Sequence, residues 1–100
     1  MFTIDDEVYT LKFNKRKQMI IETQTGKSLM SEFSQTNGLV SLGTLQALFT
    51  TGLVEESENK PVKGQKAIDI FEKVLDNNGY QSLVMAVVNK FTEDMGFLFR

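Results

Sequence analysis

Residues 33–54 read FSQTNGLVSLGTLQALFTTGLV and contain no charged side chain. Leu42, Leu45 and Phe49 recur within them at helical spacing, and a glycine follows where such a helix would end. A helix at a protein surface normally carries charged residues on its solvent face. The pattern therefore predicts a helix over residues 39–52 that is surrounded either by the rest of its own domain, which we expect, or by a second subunit.

Two amphipathic helices are predicted after this segment, in residues 65–78 and 80–95. The apolar stripe of the first consists of Ala67, Ile68, Phe71, Val74 and Leu75, with Ile70 at its margin. The apolar side of the second consists of Leu83, Val84, Val87, Val88, Phe91 and Met95, and its expected solvent side of Asn89, Lys90, Glu93 and Asp94. Because very few residues connect the two helices, we expect them to pack as an antiparallel helical hairpin that ends at Gly96.

The N-terminal residues 2–13 alternate between apolar and polar side chains in two short runs, which is typical of β-strands. The acidic sequence Asp5-Asp6-Glu7 separates the runs and suits a tight turn. A single β-hairpin is only marginally stable in water, so we expect its apolar face to lie on the helices.

Residues 14–25 are open to two interpretations. They begin with an asparagine suited to a helix N-cap, and Gly26 follows where a C-cap glycine belongs. A helix between these ends would bury Met19, Ile20 and Thr23. The central Met-Ile-Ile run is β-branched enough to form a third strand instead. We expect the helix.

Two further segments are predicted to be loops. Residues 27–38 are rich in serine, threonine and asparagine, and we expect a loop with one short helical turn whose apolar residues point inward. Residues 55–63 read EESENKPVK and hold the only proline of the chain, which predicts a charged, exposed loop.

The composition fits one folded domain. The chain has 100 residues, of which 41% are apolar and 24% charged, close to an ordinary globular protein. Such a chain can bury a modest core but leaves little room for a second domain. We predict a single domain over residues 1–100 in the α+β class, mostly α. Its N-terminal β-hairpin is expected to pack on about four helices, the last two of which form the antiparallel helical hairpin.

Cysteine and histidine are both absent from the sequence. The chain therefore has no thiolate nucleophile, no zinc site of the common kind and no imidazole base, which excludes Ser–His–Asp and Cys–His catalysis. A net charge of −2 and a single basic cluster, Lys15-Arg16-Lys17, argue against nucleic acid as a partner. No apolar run approaches the ~18 residues that span a bilayer, and no signal peptide is evident, so we expect a soluble, cytoplasmic protein without a membrane partner.

Motifs that carry chemistry are not found either. Thr25-Gly26-Lys27-Ser28 contains the last letters of a phosphate-binding P-loop, but the first glycine of that motif would fall at position 21, which is isoleucine. We expect a helix C-cap and a turn there. The acidic pairs Asp5-Asp6, Glu55-Glu56 and Glu93-Asp94 are expected to be solvated surface charge. No catalytic, cofactor-binding or metal-binding residue is predicted, and the chain is not expected to be an enzyme.

Four apolar side chains are candidates for contact with a partner. Phe97, Leu98 and Phe99 follow the last predicted helix, and if exposed they would form an apolar patch of the kind that marks interfaces. The alternative is that this segment folds back onto the core. Met85 lies off the apolar stripe of its helix, and methionine adapts to irregular partner surfaces because its side chain is flexible.

The order of these features resembles that of the tail assembly chaperones of long-tailed bacteriophages, especially those of phages that infect Gram-positive hosts. The likeness covers nearly the whole chain. It begins with the hairpin and its strand Tyr9-Thr10-Leu11-Lys12-Phe13 and continues with a helix that ends in Thr25-Gly26-Lys27-Ser28-Leu29. An uncharged helix running into Thr51-Gly52-Leu53, a charged linker with Pro61 and the two amphipathic helices complete it.

The resemblance implies a non-enzymatic role in the host cytoplasm. Proteins of this family are thought to bind the tape measure protein, keep its long hydrophobic helices soluble and help recruit tail tube subunits, and they are absent from the finished particle. Many are made in a short form and a frameshifted longer form, and this chain would correspond to the short one. The partners implied are the tape measure protein and the tail tube protein, and self-association into a homo-oligomer stays open.

Two other functions are compatible with the residues. The chain could instead be a small structural subunit of a virion or of another complex. It could also be an acidic regulatory protein that blocks a macromolecular partner, with its acidic loop acting as a decoy for a basic surface.

Overall fold

The computed structural model describes residues 2–96. The helices in this range are α1 (Lys15–Thr25), α2 (Leu29–Thr36), α3 (Leu42–Gly52), α4 (Gly64–Asn78) and α5 (Tyr80–Asp94). The strands are β1 (Phe2–Ile4), β2 (Glu7–Leu11), β3 (Leu53–Glu55) and β4 (Lys60–Pro61). The predicted class is confirmed, since the protein is α+β and mostly helical with a β-hairpin at its N-terminus. Residues 2–96 hold one helix and two strands more than expected.

The strands form an antiparallel sheet in the order β1-β2-β3-β4. The β1–β2 connection consists of Asp5 and Asp6, because Ile4 pairs directly with Glu7. Both aspartates have positive φ values, 50° and 68°. A two-residue turn of this kind matches the twist of the strands that it joins, and aspartate tolerates the left-handed conformation better than most residues. The predicted hairpin is therefore confirmed.

The charged segment 55–63 is only partly a loop. Its central residues are exposed, as predicted, but Glu55 ends β3, and Lys60 and Pro61 form β4. Strands of two or three residues are too short for an alternating pattern, and β3 is fixed by its pairing with β2. Pro61 lies on an edge strand, where its missing N–H removes no hydrogen bond inside the sheet.

Helix α3 is the centre of the fold. Leu45, Leu48 and Phe49 are buried on it, and the helix contacts α1, α4, α5 and β2. The prediction that this uncharged helix is surrounded by its own domain is therefore confirmed. The helix begins three residues later than predicted, and two leucines of the predicted range are exposed, Leu42 in the first turn and Leu39 before the helix.

Segment 27–38 contains a two-turn helix, α2, where we predicted a loop with one helical turn. Its buried carboxylate, Glu32, accepts hydrogen bonds from the backbone N–H of Ser41 at 3.2 Å and from the Thr44 hydroxyl at 2.9 Å. Lys27 Nζ lies 3.6 Å from the same carboxylate. Glu32 thus places a negative charge at the N-terminus of α3, which has no acidic residue in its own first turn.

Helices α4 and α5 are joined by Gly79 alone, and they pack on each other as the short connection predicted. Their apolar sides face the core, with one shift from the prediction. Ile70, expected at the margin of its stripe, is buried, whereas Ile68 and Leu75 are only half-buried. Tertiary packing sets this rotation of the helix, and the sequence pattern is too broad to fix it.

The end of α5 is tied to the start of α1. Asp94 was expected to face water, but its carboxylate accepts a hydrogen bond from the backbone N–H of Phe13 at 2.9 Å and pairs with Lys90 Nζ at 2.9 Å. The ring of Phe13 packs edge-on against Phe91, with centroids 5.3 Å apart. The prediction for Asp94 was wrong because a helix pattern does not reveal an unpaired backbone donor in another segment.

Replacing Glu32 with alanine is expected to lower the free energy of unfolding by about 2–3 kcal/mol, because the buried hydroxyl of Thr44 and the partly buried N–H of Ser41 lose their acceptor. Urea denaturation measures the change. Glu72→Ala, on the exposed face of α4, serves as the matched control and should stay within about 0.5 kcal/mol of the parent protein. Equal effects of the two substitutions would show that Glu32 contributes no more than a surface carboxylate.

Two glycines of α3 allow a second test. A Cβ built on Gly52 would lie 2.6 Å from the ring of Phe13, whereas one built on Gly43 would meet only the Ser41 hydroxyl at 3.9 Å. Gly52→Ala should therefore destabilise the protein by about 1–3 kcal/mol through overpacking. Gly43→Ala should be neutral or stabilise it by up to about 1 kcal/mol, since alanine favours the helix. Thermal unfolding of both variants measures the difference in stability. A Gly52→Ala protein as stable as the parent would contradict the close packing of Phe13 against Gly52.

Candidate partner-binding groove

Helix α1 forms as predicted, but it faces the core with a different side. Asn14 caps it by accepting a hydrogen bond from the backbone N–H of Lys17 at 2.9 Å, and Gly26 ends it in the left-handed conformation. Ile21 is completely buried, whereas Met19 is 67% exposed and Ile20 43% exposed.

The prediction that this helix buries Met19, Ile20 and Thr23 was therefore wrong, since Thr23 is exposed as well. Consecutive helical residues point about 100° apart, so only one of the three apolar residues 19–21 can face α3. Packing against α3 selects Ile21 and leaves the other two in solvent. The three-residue apolar run was itself a signal, because a helix with one buried side must expose part of it.

A groove of about 730 Å³ lies beside Ile20, between α1, the end of α3, β4 and the start of α4. Its apolar lining is contributed by α1, by β4 with the residue after it, and by α4, and consists of Ile20, Pro61, Val62, Ala67 and Ile68. Its polar lining includes Gln24, Gln46 and Thr50. A second concavity, around Met19, shares the lining residues Arg16, Ile20 and Gln24, so the two concavities adjoin along this row of α1. We call the two adjoining concavities together the α1 groove.

The charge of the α1 groove is of one sign. Arg16, Lys17 and Lys63 line the main part, Lys15 lies beside Met19, and no aspartate or glutamate is among the described lining residues. The cations gather at one end. The backbone N–H of Lys12, just before α1, donates to the carbonyl of Gly52 at the end of α3, so the start of α1 lies near the end of α3. The other end, near Gln24 and Gln46, is polar but neutral.

This concentration of cations is unfavourable for the helix itself. Lys15, Arg16 and Lys17 occupy the first turn of α1, which has no acidic residue, although the N-terminus of a helix carries partial positive charge. Burial lowers the pKa of Lys17, repulsion from Lys12 lowers it further, and Asp94 partly opposes both effects. Lys17 Nζ donates to the carbonyl of Lys12 at 2.8 Å. An anionic group from outside would therefore relieve an existing repulsion.

The residues predicted from the sequence lie elsewhere. Met85 is 56% exposed on α5, in keeping with its position off the apolar stripe, but it does not line the α1 groove. Phe97, Leu98 and Phe99 lie outside the described residues. Sequence reasoning missed the α1 groove because its lining comes from separate segments and because Met19 and Ile20 were assigned to the core.

The Gly-Lys-Ser sequence, acidic clusters and long apolar helices are the remaining features that could indicate a ligand, a metal ion or a membrane. The Gly-Lys-Ser sequence connects two helices, with Gly26 ending α1 and Ser28 capping α2, as expected for a C-cap and turn. Within residues 2–96, no group of three or more acidic, histidine or cysteine side chains is arranged to hold a metal ion. Among the helices of the same range, none is long and apolar enough to cross a membrane.

Adjacent isoleucines test the orientation of α1. Ile21→Ala should lower the free energy of unfolding by about 2–4 kcal/mol, because it leaves a cavity in the core. Ile20→Ala removes the same atoms from a largely exposed position and should change stability by less than about 1 kcal/mol. Urea denaturation of the two variants gives the comparison. A larger loss for Ile20→Ala would mean that the helix is rotated as the sequence pattern had suggested.

Comparison of the chain with models of protein families, with curated proteins and with solved structures finds no significant match.

Proposed function

We propose that the protein is a non-enzymatic assembly chaperone of the phage tail type. It binds helical segments of the tape measure protein, keeps them soluble and helps recruit tail tube subunits around them. The observation that carries this proposal is the α1 groove, in which Met19 and Ile20 are exposed beside a concave apolar surface. The resemblance in sequence order to the phage chaperones supplies the identity of the partner.

The dimensions and composition of the groove suit a bound helix. An amphipathic helix binds by laying its apolar face into a groove lined by apolar side chains. Helix α1 has 11 residues, and at about 1.5 Å per residue it offers a wall roughly 16 Å long, enough for about three turns of a partner. Met19 adds a flexible side chain that adapts to different partner residues.

The expected affinity of one groove is low, which suits a chaperone that must leave. Full burial of a completely exposed aliphatic side chain contributes about 1.5–3 kcal/mol. Because Met19 is 67% exposed and Ile20 43% exposed, the two together supply roughly 2–3 kcal/mol. Loss of translational and rotational freedom opposes association by a similar or larger amount. Copies bound side by side on one long partner would therefore hold it by their number, and each copy could be displaced by a tube subunit.

The two alternative functions, a structural subunit and a regulatory protein, predict different experimental results. A structural subunit would persist in the purified particle. A regulatory protein would use the exposed acidic turn between β3 and β4, where Glu56 and Glu58 lie, and its binding to a basic partner would weaken with salt. The regulatory alternative leaves the exposed apolar surface on α1 unused, and the resemblance in sequence order favours the chaperone over the structural subunit.

Co-expression with a long, hydrophobic tape measure protein of a long-tailed phage tests the proposal. The parent protein should raise the soluble fraction of the tape measure protein several-fold. The double variant Met19→Ser and Ile20→Ser should abolish most of this gain while keeping most of its thermal stability, since both side chains lie outside the core, Met19 67% and Ile20 43% exposed.

Matched variants identify the surface that is used. Met85→Ser removes an equally exposed methionine outside the groove and should leave the solubilising activity unchanged. If Met85→Ser or the pair Phe97→Ser and Phe99→Ser abolished activity while the α1 variant retained it, the partner would bind the surface that the sequence predicted. If no variant changed the solubility of the tape measure protein, the chaperone proposal would lose its support.

A further inference from the structure

The charge of the α1 groove specifies its occupant more closely than its apolar lining does. The chain has 13 acidic and 11 basic residues and therefore a negative net charge. The charged residues among the described lining of the α1 groove are all basic, so the local charge is opposite to the net charge. Among the described residues, Lys15, Arg16 and Lys63 take part in no ion pair. Their charge is therefore not neutralised by carboxylates of the described part of the chain.

We propose that the α1 groove binds an amphipathic helix that carries acidic residues at the end lying against Lys15, Arg16 and Lys63. This inference rests on the proposed function, because it takes the α1 groove as the surface that holds the partner. It adds the chemistry of the segment that is held. The apolar face of the bound helix covers Met19 and Ile20, and its carboxylates meet the cationic end.

Charge complementarity selects this occupant over others. A purely apolar segment would leave the cations facing its hydrocarbon surface, where desolvating them is costly. A basic segment would be repelled. A helix with glutamates at one end offers paired acceptors to Arg16 and Lys15 and relieves the repulsion in the first turn of α1.

The two ends of the groove also give the bound helix a direction. The cations lie near the start of α1 and the start of α4, whereas Gln24 and Gln46 at the opposite end offer only neutral amides. A segment with its acidic residues at one end therefore fits in one orientation and not in the reverse. On a long partner with repeated segments of this kind, neighbouring copies of the protein would share one orientation along the chain.

Nucleic acid is the competing occupant of a cationic surface, and the observations favour protein. The cations adjoin exposed apolar side chains, Met19 and Ile20, which phosphate groups do not cover. Within residues 2–96, no aromatic residue lines the groove, so this part of the chain offers no ring on which a base could stack. The net charge of −2 also opposes approach to a polyanion.

Synthetic helical peptides of about 14 residues test the inference. One carries leucines on one face and glutamates flanking them at one end, the second has glutamine in place of each glutamate, and the third has lysine. Fluorescence anisotropy with the full chain should give about tenfold tighter binding for the glutamate peptide than for the glutamine peptide at low salt. The difference in affinity between the glutamate and glutamine peptides should shrink towards zero at about 0.5 M salt. At low salt the lysine peptide should bind weakest of the three.

Charge-reversal variants assign the effect to the groove. The double variant Lys15→Glu and Arg16→Glu should lose the preference for the glutamate peptide and favour the lysine peptide. The control Lys60→Glu and Lys66→Glu changes the net charge equally at exposed residues outside the groove and should keep the preference of the parent protein. Circular dichroism of each variant checks that it is folded.

The outcomes separate this inference from the proposed function. If the glutamate and glutamine peptides bound the α1 groove equally well, the acidic specificity would be wrong while the chaperone proposal would stand. If none of the peptides bound, both would fail. If a DNA duplex of about 14 base pairs bound through Lys15 and Arg16 and displaced the glutamate peptide, the cationic end would be a nucleic-acid site and the inference would be overturned.

Discussion

The position of Phe13 is the constraint on which the rest of the structure depends. Its ring packs on Phe91 and fits against the space left by Gly52, while its backbone N–H donates to Asp94. The preceding residue, Lys12, donates to the carbonyl of Gly52 at 2.9 Å. The ends of β2, α3 and α5 therefore meet at one residue.

This junction also sets the course of α1. Asn14 follows Phe13 directly and caps the helix, so the helix starts at a fixed point beside the end of α3. From that start, only Ile21 of the central apolar run reaches the core, and Met19 and Ile20 remain outside. The α1 groove is thus a consequence of core packing, although its own lining is largely exposed. Substitutions that shift Phe13 would alter the groove without touching it.

The features that the sequence predicted correctly are those with local causes. The Asp5-Asp6 turn, the cap at Asn14 and the left-handed glycine at 26 act within a few residues, and each lies where it was expected. Features that depend on contacts between segments distant in sequence were not predicted. Strands β3 and β4 exist because β2 offers them an edge, and Asp94 is held by a backbone N–H that is 81 positions away in sequence. No periodic pattern records such pairings.

The candidate site was predictable only in part for the same reason. The exposure of Met85 follows from its angle on a single helix, and sequence reasoning found it. The α1 groove brings together side chains from α1, α3, β4 and α4, and its existence depends on which side of α1 turns inward. That choice is made by packing against α3, so the sequence could suggest an exposed apolar residue on α1 but not its place in a groove.

The outer strands of the sheet have a consequence for behaviour at high local concentration. β1 has three residues and β4 only two, one of which is a proline that cannot donate a hydrogen bond. Such short edge strands expose few unpaired amide and carbonyl groups, so a strand of a second molecule can form few backbone hydrogen bonds with them. Molecules at high local concentration would therefore gain little from pairing their sheets edge to edge, and contacts between them would be made mainly by side chains.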